Sequence, residues 1–138
     1  MAYLLDTVTL CEPAKRKPDA GVMAWLETVD QRDLFVSALT LGEIRRGAEL
    51  RRRRDPAAAV KYAQWLDLQR KAFAVRTLPV DGEVAERWGA LDAIRTLPII
   101  DGLLAATALV RGLTLVTRNL RDFADTGVGL LNPWRGRH

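Results

Sequence analysis

The chain predicts an α/β fold with a mostly parallel central sheet, on three observations. Short apolar runs at Tyr3–Leu5, Leu34–Ser37 and Leu115–Thr117 have the length and bounding polar residues of buried strands. Longer amphipathic segments separate them, which is the alternation of a parallel α/β sheet. Leu97–Val110, Gly112 and Leu115–Thr117 read as helix, turn and strand, the second half of a β-α-β unit. At 138 residues and without a repeat or linker, the chain fits one domain over 1–138.

The elements follow in order. Tyr3-Leu4-Leu5 is the first strand, and Asp6-Thr7 opens a turn over Val8–Leu10 that Asp6 can cap. Asp19 caps a helix from Ala20 to about Val29, whose Val22, Trp25, Leu26 and Val29 stripe faces the core. Leu34–Ser37 is the second strand. Thr40, with Glu43 three residues on, has the spacing of a capping box for the next helix. Gly47, one turn after Glu43, leaves space beside that carboxylate. The helix ends in Arg51–Arg54 before Asp55-Pro56, and a second long helix covers Ala57–Phe73. Arg76–Val80 reads as an extended link. Asp81 caps a helix with its stripe at Val84, Trp88 and Leu91, and Asp92 and Arg95 belong to the surface. Val128–Leu131 is a last edge strand, Asn132-Pro133-Trp134 closes the fold, and Arg135–His138 is a frayed tail.

Composition limits the chemistry. The one histidine is His138, the one serine Ser37 and the one cysteine Cys11. This removes Ser-His-Asp and Cys-His catalysis, zinc clusters and an internal disulfide framework. No Walker or dinucleotide glycine motif is present. No apolar run spans a membrane, and Asp6 interrupts the N-terminal one too early for a signal peptide, so the expected location is cytoplasmic. A net charge of +4 favours an anionic partner.

Carboxylates must then carry any catalysis. The helix at Leu97–Val110 is apolar almost all round yet holds Asp101 near its start, where an unpartnered charge is costly to bury. Asp6, Glu43 and Asp101 all fall at strand ends or neighbouring helix starts, and Asn119 and Asp122 follow the strand at Leu115–Thr117. In a parallel sheet these positions converge where strand order reverses. Clustered carboxylates repel, and a divalent cation relieves them. Oxygen ligands suit Mg²⁺ or Mn²⁺, and the combination points to phosphodiester hydrolysis.

Four blocks then become recognisable together: Tyr3-Leu4-Leu5-Asp6-Thr7, Ser37-Ala38-Leu39-Thr40-Leu41-Gly42-Glu43-Ile44, Asp101-Gly102-Leu103-Leu104-Ala105-Ala106-Thr107-Ala108, and Val116-Thr117-Arg118-Asn119 with Asp122-Phe123. In this order and spacing they resemble the PIN-domain nucleases, and among those the VapC toxins of bacterial type II toxin–antitoxin systems, FitB-like branch. The resemblance runs over essentially the whole chain. It implies a three-layer α/β/α sandwich and Mg²⁺- or Mn²⁺-dependent cleavage of RNA by in-line attack of water. Asp6 and Asp101 match the metal-binding aspartates and Glu43 the third acid. Asn119 stands where some members have aspartate and would orient ligands, while Asp122 would supply charge. Thr7, Ser37 and Thr117 match hydroxyls that support the carboxylates. The resemblance also implies a VapB-type antitoxin partner and a homodimer. Arg45, Arg46, Arg51 and Arg118 are candidate contacts to RNA or partner, or simply solvated cations. A nuclease of the same fold acting on DNA, or a binding module without catalysis, remain alternatives. A phosphoacceptor receiver domain does not: Thr7, not a second acid, follows Asp6, and Arg118, not lysine, follows Thr117.

Overall fold

The computed structural model describes residues 1–135 and holds five short strands in one sheet. β1 (Tyr3–Leu5) is central. It pairs with β2 (Leu34–Ser37) on one side and β4 (Thr114–Val116) on the other. β3 (Thr77–Leu78) extends the sheet beyond β2, and β5 (Leu130–Leu131) beyond β4. All four pairings are parallel, with Leu4 opposite both Phe35 and Leu115. The order β3-β2-β1-β4-β5 reverses direction between β1 and β4.

Side-chain alternation along the strands builds the layers. Leu4, Leu115 and Leu130 face one core with Leu104, Ala105 and Ala108 of α6 (Ile99–Arg111), against which α5 (Gly82–Ile94) packs. Leu5, Val36 and Val116 face the other core. There they meet Leu10 of α1 (Thr7–Cys11), Leu26 of α2 (Ala20–Thr28), Ile44 of α3 (Ala38–Arg52) and Leu66 of α4 (Pro56–Ala72). The result is the expected α/β/α sandwich. Alanines on α6 keep that helix close to the sheet, and Gly112, at φ +68°, turns the chain sharply into β4.

Several local expectations change. Arg76–Val80 is more than a link, because Thr77 and Leu78 pair with Val36 and Ser37 as β3. Two residues are too few to show an alternating pattern. α3 begins at Ala38 and is capped by Ser37, whose Oγ accepts from the Leu39 N–H at 3.0 Å. Thr40 lies inside the helix, fully buried, so the Thr40–Glu43 capping box does not form. The strand runs directly into the helix, leaving the cap to the last strand residue. Asp55 both ends the preceding segment and caps α4, with Pro56 at its first position. Gly47 gives no space beside Glu43: a methyl there would meet the Tyr62 hydroxyl at 3.5 Å, so Gly47 serves the α3–α4 contact. Trp25 is half-buried, edge-on to Tyr3 at 5.1 Å, and Asp92 and Arg95 are half-buried too. Arg135 is tied down, its N–H donating to Asp19 Oδ2 at 3.0 Å, and the rest of the expected tail lies outside the described residues.

Candidate active site

Topology explains why distant acids share one edge. β1 ends at Leu5, so Asp6 stands at its carboxyl end. Its Oδ1 accepts the Thr9 N–H at 2.8 Å and caps α1, while its own N–H donates to the Val116 carbonyl at 3.1 Å. β2 feeds α3 without a loop, which places Glu43 in the second turn above the same edge. α6 leads into β4 and so runs back against the strand direction. Its first turn, carrying Asp101, therefore starts over the carboxyl ends. Asp122 follows β4 in a short 3-10 turn, Arg121–Phe123.

The acids lie close enough to influence one another's charge. Burial raises the pKa of Asp101 above its ordinary value, and the charges of Glu43, Asp122 and Asp6 raise it further. Among the described residues no lysine or arginine lies within 4.0 Å of any of the four acids. Asp6 is 8% exposed, so its charge is also largely withdrawn from water. Glu43 is held by a hydrogen bond from the Thr7 hydroxyl, which also approaches Thr40 Oγ1 at 3.3 Å.

The other expected positions divide. Thr7 reaches a carboxylate. Ser37 and Thr117 are fully buried, but each hydroxyl accepts a backbone N–H, from Leu39 and from Asn119 at 3.1 Å, and so shapes the loops beneath the acids. Asn119 is exposed in the same loop as Asp122, with no side-chain hydrogen bond among the described residues. Thr9 was not anticipated. It is buried and links the two central strands, its Oγ1 donating to the Val116 carbonyl at 3.0 Å while its N–H holds Asp6. The Thr7-x-Thr9 spacing after Asp6 was the available signal.

Most of the candidate arginines have partners already. Arg45 and Arg52 reach Glu49 at 3.6 and 3.0 Å, Arg51 lies over the Tyr62 ring at 4.4 Å, and Arg118 over the Trp134 ring at 5.0 Å. Arg46 is exposed with no acidic partner among the described residues.

The donor set at the edge is all oxygen, negatively charged and without protein counter-charge, which fits a hard divalent cation. Among the described residues no three acidic, thiol or imidazole groups stand close enough together to hold a metal ion between them. Mg²⁺ does not require three, because it keeps several waters and takes one or two carboxylates together with a substrate phosphate. An apolar cavity of about 580 Å³ opens elsewhere, between Leu10, Leu26, Trp65 and Phe73, and contains no acidic side chain.

A parallel sheet in the order β3-β2-β1-β4-β5, with four acids gathered at its switch point, defines a PIN domain. The PIN-domain family matches residues 3–129, and the chain belongs to that family. It is 32% identical over 136 residues to "Toxin FitB" of Neisseria gonorrhoeae, covering 95% of this chain and 97% of that protein. It is 30% identical over 139 residues to "VapC ribonuclease Y4jK" of Sinorhizobium fredii, covering 95% and 96%. Among solved structures it matches FitAcB from Neisseria gonorrhoeae with a TM-score of 0.87 and 31% identity, covering 96% of this chain and 99% of that one. It matches a toxin–antitoxin complex from Klebsiella pneumoniae with a TM-score of 0.72 and 27% identity, covering 97% and 99%.

Proposed function

We propose that this chain, acting as one PIN domain in the cytoplasm, is the toxin of a type II toxin–antitoxin system. It is a divalent-metal-dependent endoribonuclease held in check by a VapB-type antitoxin. The observation that carries this reading is the uncompensated acid cluster at the switch point, centred on Asp101, whose pKa is raised by its own burial and by three neighbouring carboxylates. Relatives named toxin and ribonuclease support it.

Asp6 and Asp101 hold the cation, with Glu43 and Asp122 adding charge directly or through water. Bound there, Mg²⁺ or Mn²⁺ polarises a phosphoryl oxygen and acidifies water. The chain's own groups do the positioning. Thr7 donates to Glu43 Oε1 and so holds that carboxylate in place beside the other acids. The Thr9 N–H fixes Asp6 through Oδ1, so the carboxylate that would help hold the cation is oriented before the metal arrives. No imidazole is needed, in keeping with a chain whose one histidine is its last residue.

The apolar cavity beside Trp65 and Phe73 would seat a hydrophobic segment of the antitoxin. The outer faces of α3 and α4 expose Leu50, Val60 and Leu68, and these supply a two-fold contact between copies of the chain. Sedimentation at micromolar concentration checks this, and a stable monomer would rule the contact out.

The decisive experiment incubates the purified protein with RNA and with DNA, in Mg²⁺, Mn²⁺ and EDTA, beside Asp101→Asn. RNA cleavage that needs the metal and Asp101 supports the proposal. Cleavage of DNA alone moves the chain to the other nuclease class, and no cleavage of either makes it a binding module.

A further inference from the structure

Beside the acids, α3 and α6 leave an open groove of about 360 Å³ that the reaction as described does not use. Its walls are Leu39 of α3, Val80 just before α5, and Ile100, the residue before Asp101. Glu43 and Arg46 also line it. Whatever occupies this groove therefore sits directly against the reacting centre.

Gly42 keeps the groove open. A methyl built on it meets nothing within 4 Å, so the space above it is empty. Glycine inside a helix costs about 1 kcal/mol relative to alanine. Packing within the chain does not call for it here, unlike at Gly47, where Tyr62 fills the space. Arg46, one turn after Gly42, is also uncommitted. Its neighbours on α3 are engaged with Glu49 or Tyr62, whereas Arg46 has no acidic partner among the described residues.

We propose that this groove seats one nucleobase of the substrate RNA next to the scissile phosphate, with Arg46 holding an adjacent backbone phosphate. The proposal rests on the ribonuclease reading and deepens it by locating a source of sequence preference. A nucleobase has flat apolar faces, which suit Leu39, Val80 and Ile100, and it is joined to an anion, which suits the cationic Arg46 in the same lining. An aliphatic peptide segment would use the walls but not the arginine. Single-stranded RNA can splay a base into such a slot, because its bases are not locked in a duplex.

The test compares wild type, Gly42→Leu and Arg46→Gln on a randomised RNA pool with Mn²⁺, mapping every cut. Leucine is a better helix former than glycine, so the first variant fills the groove without unfolding α3. Wild type should prefer particular bases at one position beside the cut. Gly42→Leu should flatten that preference and lower kcat/KM on the preferred RNA by roughly tenfold or more. Its ratio of cleavage of the preferred RNA to cleavage of an RNA lacking the base at that position should fall towards one. Arg46→Gln should keep the preference, bind more weakly and reduce the slope of log affinity against log salt by about 0.7–1. Unchanged preference in Gly42→Leu overturns the proposal, as does an equal loss on the abasic RNA. A change in sedimentation of Gly42→Leu at equal concentration also overturns it and assigns the groove to a second copy of the chain. If wild type cuts no RNA in the pool, the ribonuclease reading itself falls, an outcome visible before any variant is tested.

Discussion

The indole of Trp88 lies against the bare Cα of Gly102, the residue after Asp101. A methyl on Gly102 would stand 2.9 Å from Trp88 Cδ1 and 3.0 Å from Nε1. This contact joins α5 to the first turn of α6 and sets how closely the two helices approach there. Gly102→Ala should therefore be destabilising: overpacking against a rigid ring costs about 1–3 kcal/mol, more than the roughly 1 kcal/mol a helix gains from alanine. Gly89→Ala on α5, where a methyl meets nothing within 4 Å, should stabilise by about 0.5–1 kcal/mol. Opposite shifts in Tm for the same chemical change are the expected result. Equal shifts would mean that Trp88 does not constrain α6.

Asp101 loads the metal-free fold with repulsion. Its folded pKa is raised, first by burial and then by Glu43, Asp122 and Asp6. Whatever stability its protonated form contributes is present below the ordinary carboxylate pKa and is lost as pH rises through the folded value. At neutral pH, Asp101→Asn should thus melt no lower than wild type in EDTA. Mn²⁺ should raise the Tm of wild type and leave the variant's almost unchanged, and RNA cleavage should fall by orders of magnitude. A variant that melts far lower in EDTA would show Asp101 to be paired inside the fold, because breaking a buried pair costs about 3–5 kcal/mol.

Thr7 orients Glu43 from another helix. Thr7→Val removes the hydroxyl and keeps the β-branched shape. Cleavage should drop about 10–100-fold, the usual effect of removing a group that supports a site carboxylate. Thr7→Ser should restore most of it. Wild-type rates from the valine variant would remove Thr7 from the site.

Cys11 ends α1 and packs half-buried against the second core. Burial, and then the charge of Asp6, push its thiol up to about 11. At pH 8 the thiolate is then about a hundredfold scarcer than at the ordinary pKa of 9.0. Native protein should resist iodoacetamide at pH 8, while urea-unfolded protein should label rapidly. Fast labelling of the native form would mean that the thiol is not withdrawn from solvent.

Local patterns in the chain were enough for much of this. Leu4, Val36 and Leu115 lie in runs whose length and bounding residues announce buried strands, and Asp19 and Asp81 cap helices by hydrogen bonds reaching three residues on. The sequence by itself also placed Asp6, Glu43, Asp101 and Asp122 at element ends, since a polar residue next to an apolar run is a local fact. Only the tertiary structure decided the rest. β3 exists because Val36 and Ser37 are there to pair with two residues of no distinctive pattern. Ser37 rather than Thr40 caps α3 because the strand enters the helix without a loop. Gly42 opens a groove while Gly47 closes against Tyr62, though the two glycines share one helix and look alike in sequence. Such differences depend on what a distant segment brings to within a few ångströms, and no periodicity along the chain encodes that distance.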